Sequence, residues 1–301
     1  MHLQDSGKEV VNQSISARDY DSFRRFLEEA CGIVLGENKQ YLVASRLSRL
    51  LRELDIESVG DLIQTLGKQP RTGLRERIID AMTTNETFWF RDNHPYALLK
   101  DLILPEFSQR HLPQLRIWSA ACSSGQEPYS ISMIIQEFLR GRPGGVPANT
   151  QIVATDISPS MLELAKAGKY DALSLSRGLP PERKQRFFQQ QGDLWQVKDE
   201  IRNRVRFSEF NLMNNYSSLG KFELVFCRNV LIYFSSQLKR DILRRIAEHM
   251  VPGGYLFLGS TETIASYSDA FETVRHDGGI VYRLKAVNGV SLTTGFPSTS
   301  L

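Results

Sequence analysis

Hydrophobic residues recur three and four positions apart along the first part of the chain, which is the spacing of one helix face. The clearest example runs over residues 39–54, where Val43 and Leu47 share a face. Shorter stretches after it repeat the pattern. We therefore predict a helical bundle over residues 18–81, preceded by a frayed end of residues 1–17.

From residue 115 onward, short apolar runs alternate with helical stretches. This alternation is typical of a parallel α/β sheet, in which a helix crosses from each strand to the next. The last two runs flank Asp277-Gly278, a favoured hairpin turn, and are predicted as an antiparallel pair that closes the sheet. The predicted strands are residues 115–118, 151–157, 205–212, 222–228, 255–259, 271–276 and 279–284.

Three segments depart from this alternation. Residues 170–204 lie between the second helix and the third strand, and Gly192-Asp193 within them suits a hairpin turn, so they are predicted as an inserted β-subdomain. The helix of residues 236–250 is predicted to stop at Pro252-Gly253-Gly254, ahead of the fifth strand. Residues 286–301 are rich in Ser, Thr and Gly, which predicts a disordered tail.

An aromatic linker, residues 82–93, separates the helical domain from the α/β domain. It carries Phe88, Trp89 and Phe90 in a row, with Arg91 directly after them. A simple linker does not need so many aromatic side chains. Two interpretations stay open: the segment is a buried hinge between the domains, or it folds over a ligand.

Composition limits the possible functions only loosely. The chain has 301 residues, 41% hydrophobic and 24% charged, which is enough for about two globular domains. A formal net charge of +3 argues against general nucleic-acid binding. Cys31, Cys122 and Cys227 form no CxxC pair, which indicates a reducing compartment without disulfides or a zinc site. Neither a signal core nor a membrane-length apolar run is evident, so we expect a cytoplasmic protein.

The stretch from Leu115 to Ser130 has the order strand, small-residue turn, helix, by which α/β sheets build a nucleotide crevice. Its turn lacks the GxGxxG pattern that brings a helix N-terminus against a pyrophosphate. Glu127 stands beside the turn, and an acid at that position repels a phosphate but attracts a cation. The turn therefore favours a positively charged ligand without phosphate.

Asp156 ends the second predicted strand and is a candidate for binding a ribose, because a carboxylate accepts hydrogen bonds from two adjacent hydroxyls. S-adenosylmethionine combines a ribose with a sulfonium and an ammonium and has no phosphate. These residues therefore favour a methyltransferase over a dehydrogenase. A plainer interpretation stays open, in which Asp156 only caps the following helix.

Four longer motifs follow one another along the chain: TTNETFWFR at 83–91, RIWSAACSSGQEPYS at 116–130, ATDIS at 154–158 and FCRNVLIYF at 226–234. Together they resemble the CheR-type chemotaxis-receptor glutamate methyltransferases over residues 18–285. That family joins an N-terminal helical receptor-binding domain to a doubly wound, Rossmann-like class I methyltransferase domain dependent on S-adenosylmethionine. The resemblance implies the same α/β fold at residues 94–285, with a small antiparallel β-subdomain at 170–204.

The resemblance also implies a reaction and a set of site residues. S-adenosylmethionine would convert chemoreceptor glutamates to γ-methyl esters and leave S-adenosylhomocysteine, with Arg91 and Tyr233 facing the reacting methyl group. The helical-face arginines would meet the receptor's acidic methylation helices, although the neutral first domain by itself suggests only a solvated face. These arginines are Arg46, Arg49 and Arg52. The implied cofactor contacts are Asn85, Thr87, Arg91, Glu127, Asp156, Asn211, Leu212, Arg228 and Asn229.

Two features depart from the family pattern. The hairpin loop at Gly192-Asp193 is shorter than in relatives that grip a C-terminal receptor peptide, so we do not expect such tethering here. The segment at 260–263 matches only loosely, so Glu262 is given no role.

Two other functions remain possible at this point: a methyltransferase that acts on RNA or a small molecule, and a scaffold that binds S-adenosylmethionine without catalysis. The neutral first domain argues against RNA. We expect a monomer with no bound metal, no nucleic-acid partner and no membrane insertion.

Overall fold

A computed structural model of the chain describes residues 15–68, 73–110 and 112–286. They fall into two compact units, of which the first ends at Thr84 and the second begins at Asn85. This division lies inside residues 82–93, the segment predicted as a linker. The predicted frayed and disordered ends fall mainly on residues 1–14 and 287–301, which lie outside the described residues.

The described part of the first unit contains four helices, as the apolar spacing predicts. They are α1 (Ala17–Cys31), α2 (Gln40–Leu54), α3 (Val59–Lys68) and α4 (Leu74–Met82). The helix α1 contacts α3, and α2 contacts α4. The predicted face of α2 is buried at Val43, Leu47 and Leu50. Ser16 starts α1, because its hydroxyl accepts the Asp19 N–H at 3.1 Å and so satisfies a backbone donor of the first turn.

The second unit is built on a doubly wound sheet, as predicted. Its described strands are β1 (Arg116–Ala120), β2 (Gln151–Asp156), β3 (Lys169–Tyr170), β4 (Phe188–Gln191), β5 (Leu194–Val197), β6 (Val205–Glu209), β7 (Phe222–Cys227), β8 (Met250–Phe257), β9 (Phe271–His276) and β10 (Gly279–Leu284). The main sheet has the order β6-β2-β1-β7-β8-β10-β9. Its first five strands are parallel, and β10 pairs antiparallel with β8 and β9. The predicted closing pair is confirmed, with Asp277 and Gly278 both at positive φ.

Helices connect these strands and carry the rest of the core. They are α5 (His94–Leu98), α6 (Leu104–Arg110), α7 (Gln126–Gly141), α8 (Pro159–Ala167), α9 (Ala172–Ser176), α10 (Pro181–Phe187), α11 (Asp199–Arg202) and α12 (Ser236–Glu248). A π-helical turn, Leu99–Ile103, joins α5 to α6. No helix among the described residues is long and apolar enough to cross a membrane.

The predicted insertion forms a small sheet of its own, in the order β3-β5-β4. The hairpin of β4 and β5 turns at Gly192-Asp193, as predicted, and Gly192 has a φ of 62°. A glycine at positive φ in the first turn position is what a two-residue hairpin needs. The strand β3, which no pattern predicted, pairs with β5 next to the end of α8.

The prediction that Pro252-Gly253-Gly254 stop a helix ahead of the fifth strand is wrong. The helix α12 already ends at Glu248, and the three residues lie inside β8. The pairing of β7 with β8 shifts across this segment, which makes it a bulge. A bulge tolerates the missing N–H of proline and a glycine at positive φ, here 73° at Gly253.

Four predicted strands extend one to three residues past the observed strand ends, and in two of these four the extra residues include candidate site residues. The strand β6 ends at Glu209 and β7 ends at Cys227, so Asn211, Leu212 and Arg228 lie in the loops that follow. The strand order reverses at β1, between β2 and β7. In doubly wound sheets the binding crevice lies outside the carboxyl ends of the strands at such a reversal. The loops after these strands are therefore where a functional site is expected.

Candidate functional site

The turn after β1 is held in a strained backbone conformation. Ala121 and Ser123 have φ values of 57° and 50°, and Gly125 has a φ of 94°. Residues other than glycine seldom adopt such angles, and they concentrate at functional sites. A Cβ added to Gly125 would lie 3.0 Å from the Ala165 Cβ, so the turn lies tightly against α8. Both the positive φ and this close packing therefore favour glycine at position 125.

Asp156 joins this turn to the loop after β2. Its Oδ2 accepts the Ser123 N–H at 2.7 Å, and its Oδ1 accepts the Ser158 N–H at 2.9 Å. The side chain that caps α8 is that of Ser158, which accepts the Met161 N–H at 3.2 Å. Ser158 is thus the N-cap of α8, and Asp156 accepts the backbone N–H of that residue. A carboxylate has about four lone-pair sites, so these bonds are compatible with accepting ribose hydroxyls as well.

Glu127 belongs to a buried ion-pair network centred on Arg228. Arg228, whose side chain is 1% exposed, donates from Nη1 to Glu127 Oε2 at 2.9 Å and from Nη2 to Asp92 Oδ2 at 2.7 Å. Glu127 Oε1 accepts the Ser119 hydroxyl at 2.8 Å. Removing one member of a buried pair leaves an uncompensated charge, at a cost of about 3–5 kcal/mol.

The charge at this edge of the sheet belongs to the whole network and not to Glu127 alone. Burial lowers the pKa of Arg228, but Tyr96, Glu127 and Asp92 outweigh burial and raise the pKa overall. Arg228 is therefore charged, and two carboxylates against one guanidinium leave the network with net negative charge. The preference of this edge for a cationic ligand thus belongs to the network. The side chain of Arg228, predicted as a cofactor contact, holds the acids in place.

The aromatic segment, residues 85–92, is anchored inside the second unit. Trp89 is fully buried and packs edge-on against Tyr170 and Phe188, with ring centroids 4.9 and 5.2 Å away. The Phe90 N–H donates to Ser130 Oγ at 3.2 Å. Trp89 and Phe90 thus fasten the segment to the second unit. The polar residues Asn85, Thr87 and Arg91 are only half-buried.

The aromatic segment also meets the binding turn and the ion-pair network. The Asn85 carbonyl accepts the Ser123 hydroxyl at 2.9 Å, and the Arg91 carbonyl accepts Arg228 Nη2 at 2.8 Å. The Arg91 side chain donates to the Glu86 carbonyl at 2.9 Å. Hydrogen bonds therefore link the segment to the loops after both β1 and β7, which is the arrangement expected if it covers a ligand there.

The loop after β7 is shaped by Glu262, for which no role was predicted. Its Oε2 accepts the N–H groups of Asn229 and Gly259 at 2.6 and 2.8 Å, and its Oε1 accepts the Ile232 N–H at 3.2 Å. Asn229 is held at a φ of 57°, and the half-buried Tyr233 ends the short helical turn that follows. The sequence signal for this role was an acid just past a buried strand. It was not sufficient, because most of the backbone groups that Glu262 binds lie in a loop distant in sequence.

Asn211 and Leu212 form the turn after β6. Asn211 Oδ1 accepts the Met213 N–H at 2.9 Å, an Asx turn that fixes the loop. The Leu212 carbonyl accepts the Tyr216 hydroxyl at 2.9 Å, and the Tyr216 ring meets Trp118 of β1 edge-on at 5.2 Å. Both residues are therefore held at the same end of the sheet as Asp156.

The predicted arginine row divides into two kinds of residue. Arg46 is half-buried and donates to the carbonyls of Met82 and Thr83 and to the Thr84 hydroxyl. It therefore caps the end of α4 within the first unit. Arg49 and Arg52 are exposed. Arg49, with 85% of its side chain exposed, pairs with Glu53 at 2.7 Å, and Arg52 donates to the Ser48 carbonyl at 3.3 Å.

These residues fit S-adenosylmethionine better than a phosphorylated nucleotide. The edge offers two carboxylates, Asp156 and Glu127, and the buried Arg228 is bound to acids.

Cys122 and Cys227 are buried, and burial raises the pKa of each thiol well above its usual value, so both stay neutral rather than act as nucleophiles. Within the described part of the chain, no group of three or more His, Cys, Asp or Glu residues is placed to hold a metal ion.

Comparison with known proteins agrees with this geometry. Two protein-family models match the chain: the all-alpha domain of CheR methyltransferase at residues 18–83, and the SAM binding domain of CheR methyltransferase at residues 85–280. The chain is 56% identical over 269 residues to "Chemotaxis protein methyltransferase Cher2" of Pseudomonas putida, which covers 89% of this chain and 98% of that protein.

Two further relatives give the same result. "Chemotaxis protein methyltransferase 1" of Pseudomonas aeruginosa is 56% identical over 274 residues, with 90% of this chain and 100% of that protein covered. "Chemotaxis protein methyltransferase" of Vibrio parahaemolyticus is 50% identical over 273 residues, with 90% and 98% covered. The matches extend over nearly the whole length of each relative.

Proposed function

The chain belongs to the CheR methyltransferase family, and on that premise we propose that it methylates glutamate side chains of chemoreceptors to γ-methyl esters, with S-adenosylmethionine as the methyl donor. One observation carries this proposal. Ser123 links Asp156 to the Asn85 carbonyl of the aromatic segment, and Arg228 links Glu127 to the Arg91 carbonyl of the same segment, at the carboxyl ends of β1, β2 and β7.

Each part of this site has a defined task in binding. S-adenosylmethionine, when bound, supplies a methyl group made electrophilic by its sulfonium. Asp156 accepts hydrogen bonds from the ribose hydroxyls. Glu127, oriented by Arg228, accepts hydrogen bonds from the ammonium of the methionine part. The half-buried side chains of the aromatic segment exclude water above the site. The remaining contacts to the donor come from Asn85, Thr87, Asn211, Leu212 and Asn229.

The acceptor needs positioning rather than activation. A glutamate side chain with a pKa of about 4.3 is already ionised at neutral pH, so no residue has to remove a proton. Arg91 orients the incoming carboxylate by charge-assisted hydrogen bonds, and Tyr233 positions it from the loop after β7. Alignment of two reactants alone can be worth about 7–11 kcal/mol of the barrier.

The first unit provides the surface that meets the receptor. Arg49 and Arg52 are exposed on α2 and carry the charge that an acidic methylation helix requires. Arg46 contributes indirectly, because it fixes the end of α4. We place the enzyme in the cytoplasm, as a monomer that acts on the cytoplasmic helices of chemoreceptors and needs no tethering by a receptor C-terminal peptide.

Transfer of a labelled methyl group tests this proposal. The protein is mixed with labelled S-adenosylmethionine and with membranes that carry chemoreceptors, and the label is then released with mild base. The expected result is receptor-bound label that base converts to volatile methanol. Label that resists base, label found in RNA or a small molecule, or no label with any receptor tested would refute it.

A further inference from the structure

The insertion brings a second arginine close to Arg91. The guanidinium carbon of Arg177 lies 5.6 Å from the centroid of the Phe88 ring, and that of Arg91 lies 5.4 Å from the same centroid. The two positive charges are therefore no farther apart than the sum of these distances. Contact with an aromatic face and with a nearby anion offsets the repulsion between two such charges.

The nearby anion is Glu86 of the chain itself. Its carboxylate accepts a hydrogen bond from Arg177 Nη2 at 3.0 Å, and its carbonyl accepts one from Arg91 Nη1 at 2.9 Å. The side chains of Arg177 and Glu86 are 50% and 61% exposed. An ion pair this open to solvent is weak, so another carboxylate can take the place of Glu86.

The backbone of Arg177 is held firmly against the aromatic segment. Its carbonyl accepts the Trp89 N–H at 3.1 Å, and Trp89 is fully buried. The next residue, Gly178, approaches so closely that an added Cβ would lie 2.1 Å from the Trp89 carbonyl oxygen. The guanidinium of Arg177 therefore extends from a fixed position beside the segment that carries Arg91.

We propose that Arg177 binds a second carboxylate of the receptor, next to the glutamate that Arg91 orients. This inference rests on the proposed function, because it assumes an acidic receptor segment as substrate. In the free enzyme the guanidinium of Arg177 is paired with the Glu86 carboxylate, and the substrate carboxylate takes the place of Glu86. The exchange leaves no charge of Arg177 without a partner. The insertion thereby favours glutamates that have another acid close by over glutamates with neutral neighbours.

Two substitutions with opposite expected effects test the proposal. In the full-length protein, acting on the receptor membranes that the wild-type enzyme methylates, Arg177→Gln should raise the KM for receptor about fivefold, the effect of losing one partly exposed ion pair. The kcat and the affinity for S-adenosylhomocysteine should stay unchanged. Glu86→Gln should leave the KM unchanged or lower it, because it removes the internal competitor of the substrate.

Arg244→Gln is the matched control. Arg244 is similarly exposed, at 58%, and is paired with Asp241 and Glu248 on α12, so its replacement should not change the receptor KM. A KM raised equally by Arg177→Gln and Glu86→Gln would overturn the proposal, because the pair would then only fasten the aromatic segment. Equal KM values for Arg177→Gln and Arg244→Gln would overturn it too. Either result would leave the proposed function intact, because that function is tested by base-labile methylation with the wild-type enzyme.

Discussion

Asp156 and Glu127 are both acids at the same edge of the sheet, but their surroundings differ. Asp156 accepts backbone N–H groups from two loops, which orients its carboxylate at the end of β2. Glu127 is held by Arg228, a guanidinium with 1% of its side chain exposed. The first acid is therefore suited to neutral hydroxyl donors. Glu127 is part of a network whose net charge is negative, which suits an ammonium.

Asp156→Asn keeps the volume of the side chain but removes its charge and one acceptor. Hydrogen bonds to charged groups are worth about 1.5–3 kcal/mol, so the affinity for S-adenosylhomocysteine should fall by about tenfold to a hundredfold. Isothermal titration calorimetry measures this directly, with Asp193→Asn in the exposed hairpin turn as the control. Equal affinities of the two variants would show that Asp156 does not bind the ribose.

Glu262→Gln tests the residue that shapes the loop after β7. The amide offers one acceptor in place of a carboxylate that accepts N–H groups of Asn229, Gly259 and Ile232. The loop that carries Asn229 and Tyr233 should shift, and kcat should fall by about tenfold, equivalent to about 1.4 kcal/mol, with little change in the receptor KM. A lowered unfolding midpoint with wild-type kcat would instead assign Glu262 a purely structural role.

At the scale of elements, the site depends on how closely the aromatic segment and the insertion approach each other. Gly178 has a φ of 87° and lies directly against the Trp89 carbonyl. Trp89 in turn packs on Tyr170 of β3 and Phe188 of β4. The small sheet of the insertion thus supports the segment that carries Arg91, whatever its part in receptor binding.

Gly178→Ala should disrupt this support. Overpacking of a close contact costs about 1–3 kcal/mol, so the free energy of unfolding should fall by this amount relative to Gly144→Ala, and cofactor affinity should weaken. Gly144 is a close control because its φ is 75° and an added Cβ would meet no atom within 4 Å. Urea denaturation of both variants gives the comparison. Equal stabilities would show that the contact with Trp89 is readily relieved.

The elements that the sequence predicted well are those set by local chemistry. The hairpins at Gly192-Asp193 and Asp277-Gly278 follow from turn residues alone, and the helices of the first unit follow from apolar spacing. The bulge at residues 252–254 could not be predicted in this way, because it depends on the register between β7 and β8. The contacts of Glu262 and Arg46 were not predicted for a similar reason: their partners are backbone groups contributed by other segments of the chain.

At the scale of the whole molecule, we propose that the two units carry different parts of the function. The second unit contains the complete set of predicted cofactor contacts, from Asn85 to Asn229. The first unit contributes the exposed Arg49 and Arg52. Binding of the methyl donor and recognition of the receptor should therefore be separable by mutation.

Replacing both Arg49 and Arg52 by Ala tests this separation. Receptor methylation should weaken and lose part of its salt dependence, because exposed charges act over a screening length of about 8 Å at physiological salt. The affinity for S-adenosylhomocysteine should not change. Arg46→Ala should instead lower the stability of the first unit, since it removes hydrogen bonds to the end of α4. Unchanged methylation in the double variant would leave the arginine row as a solvated face.

The central claim is that the loops after β1, β2 and β7 bind the methyl donor through two acids with different partners. A crystal structure with S-adenosylhomocysteine tests it most directly. The predicted result is a ribose whose hydroxyls lie within about 2.6–3.2 Å of the Asp156 carboxylate, with the amino group of the ligand on Glu127 and Arg228 still bound to that acid. A ribose bound away from Asp156, or an amino group without contact to Glu127, would contradict the account.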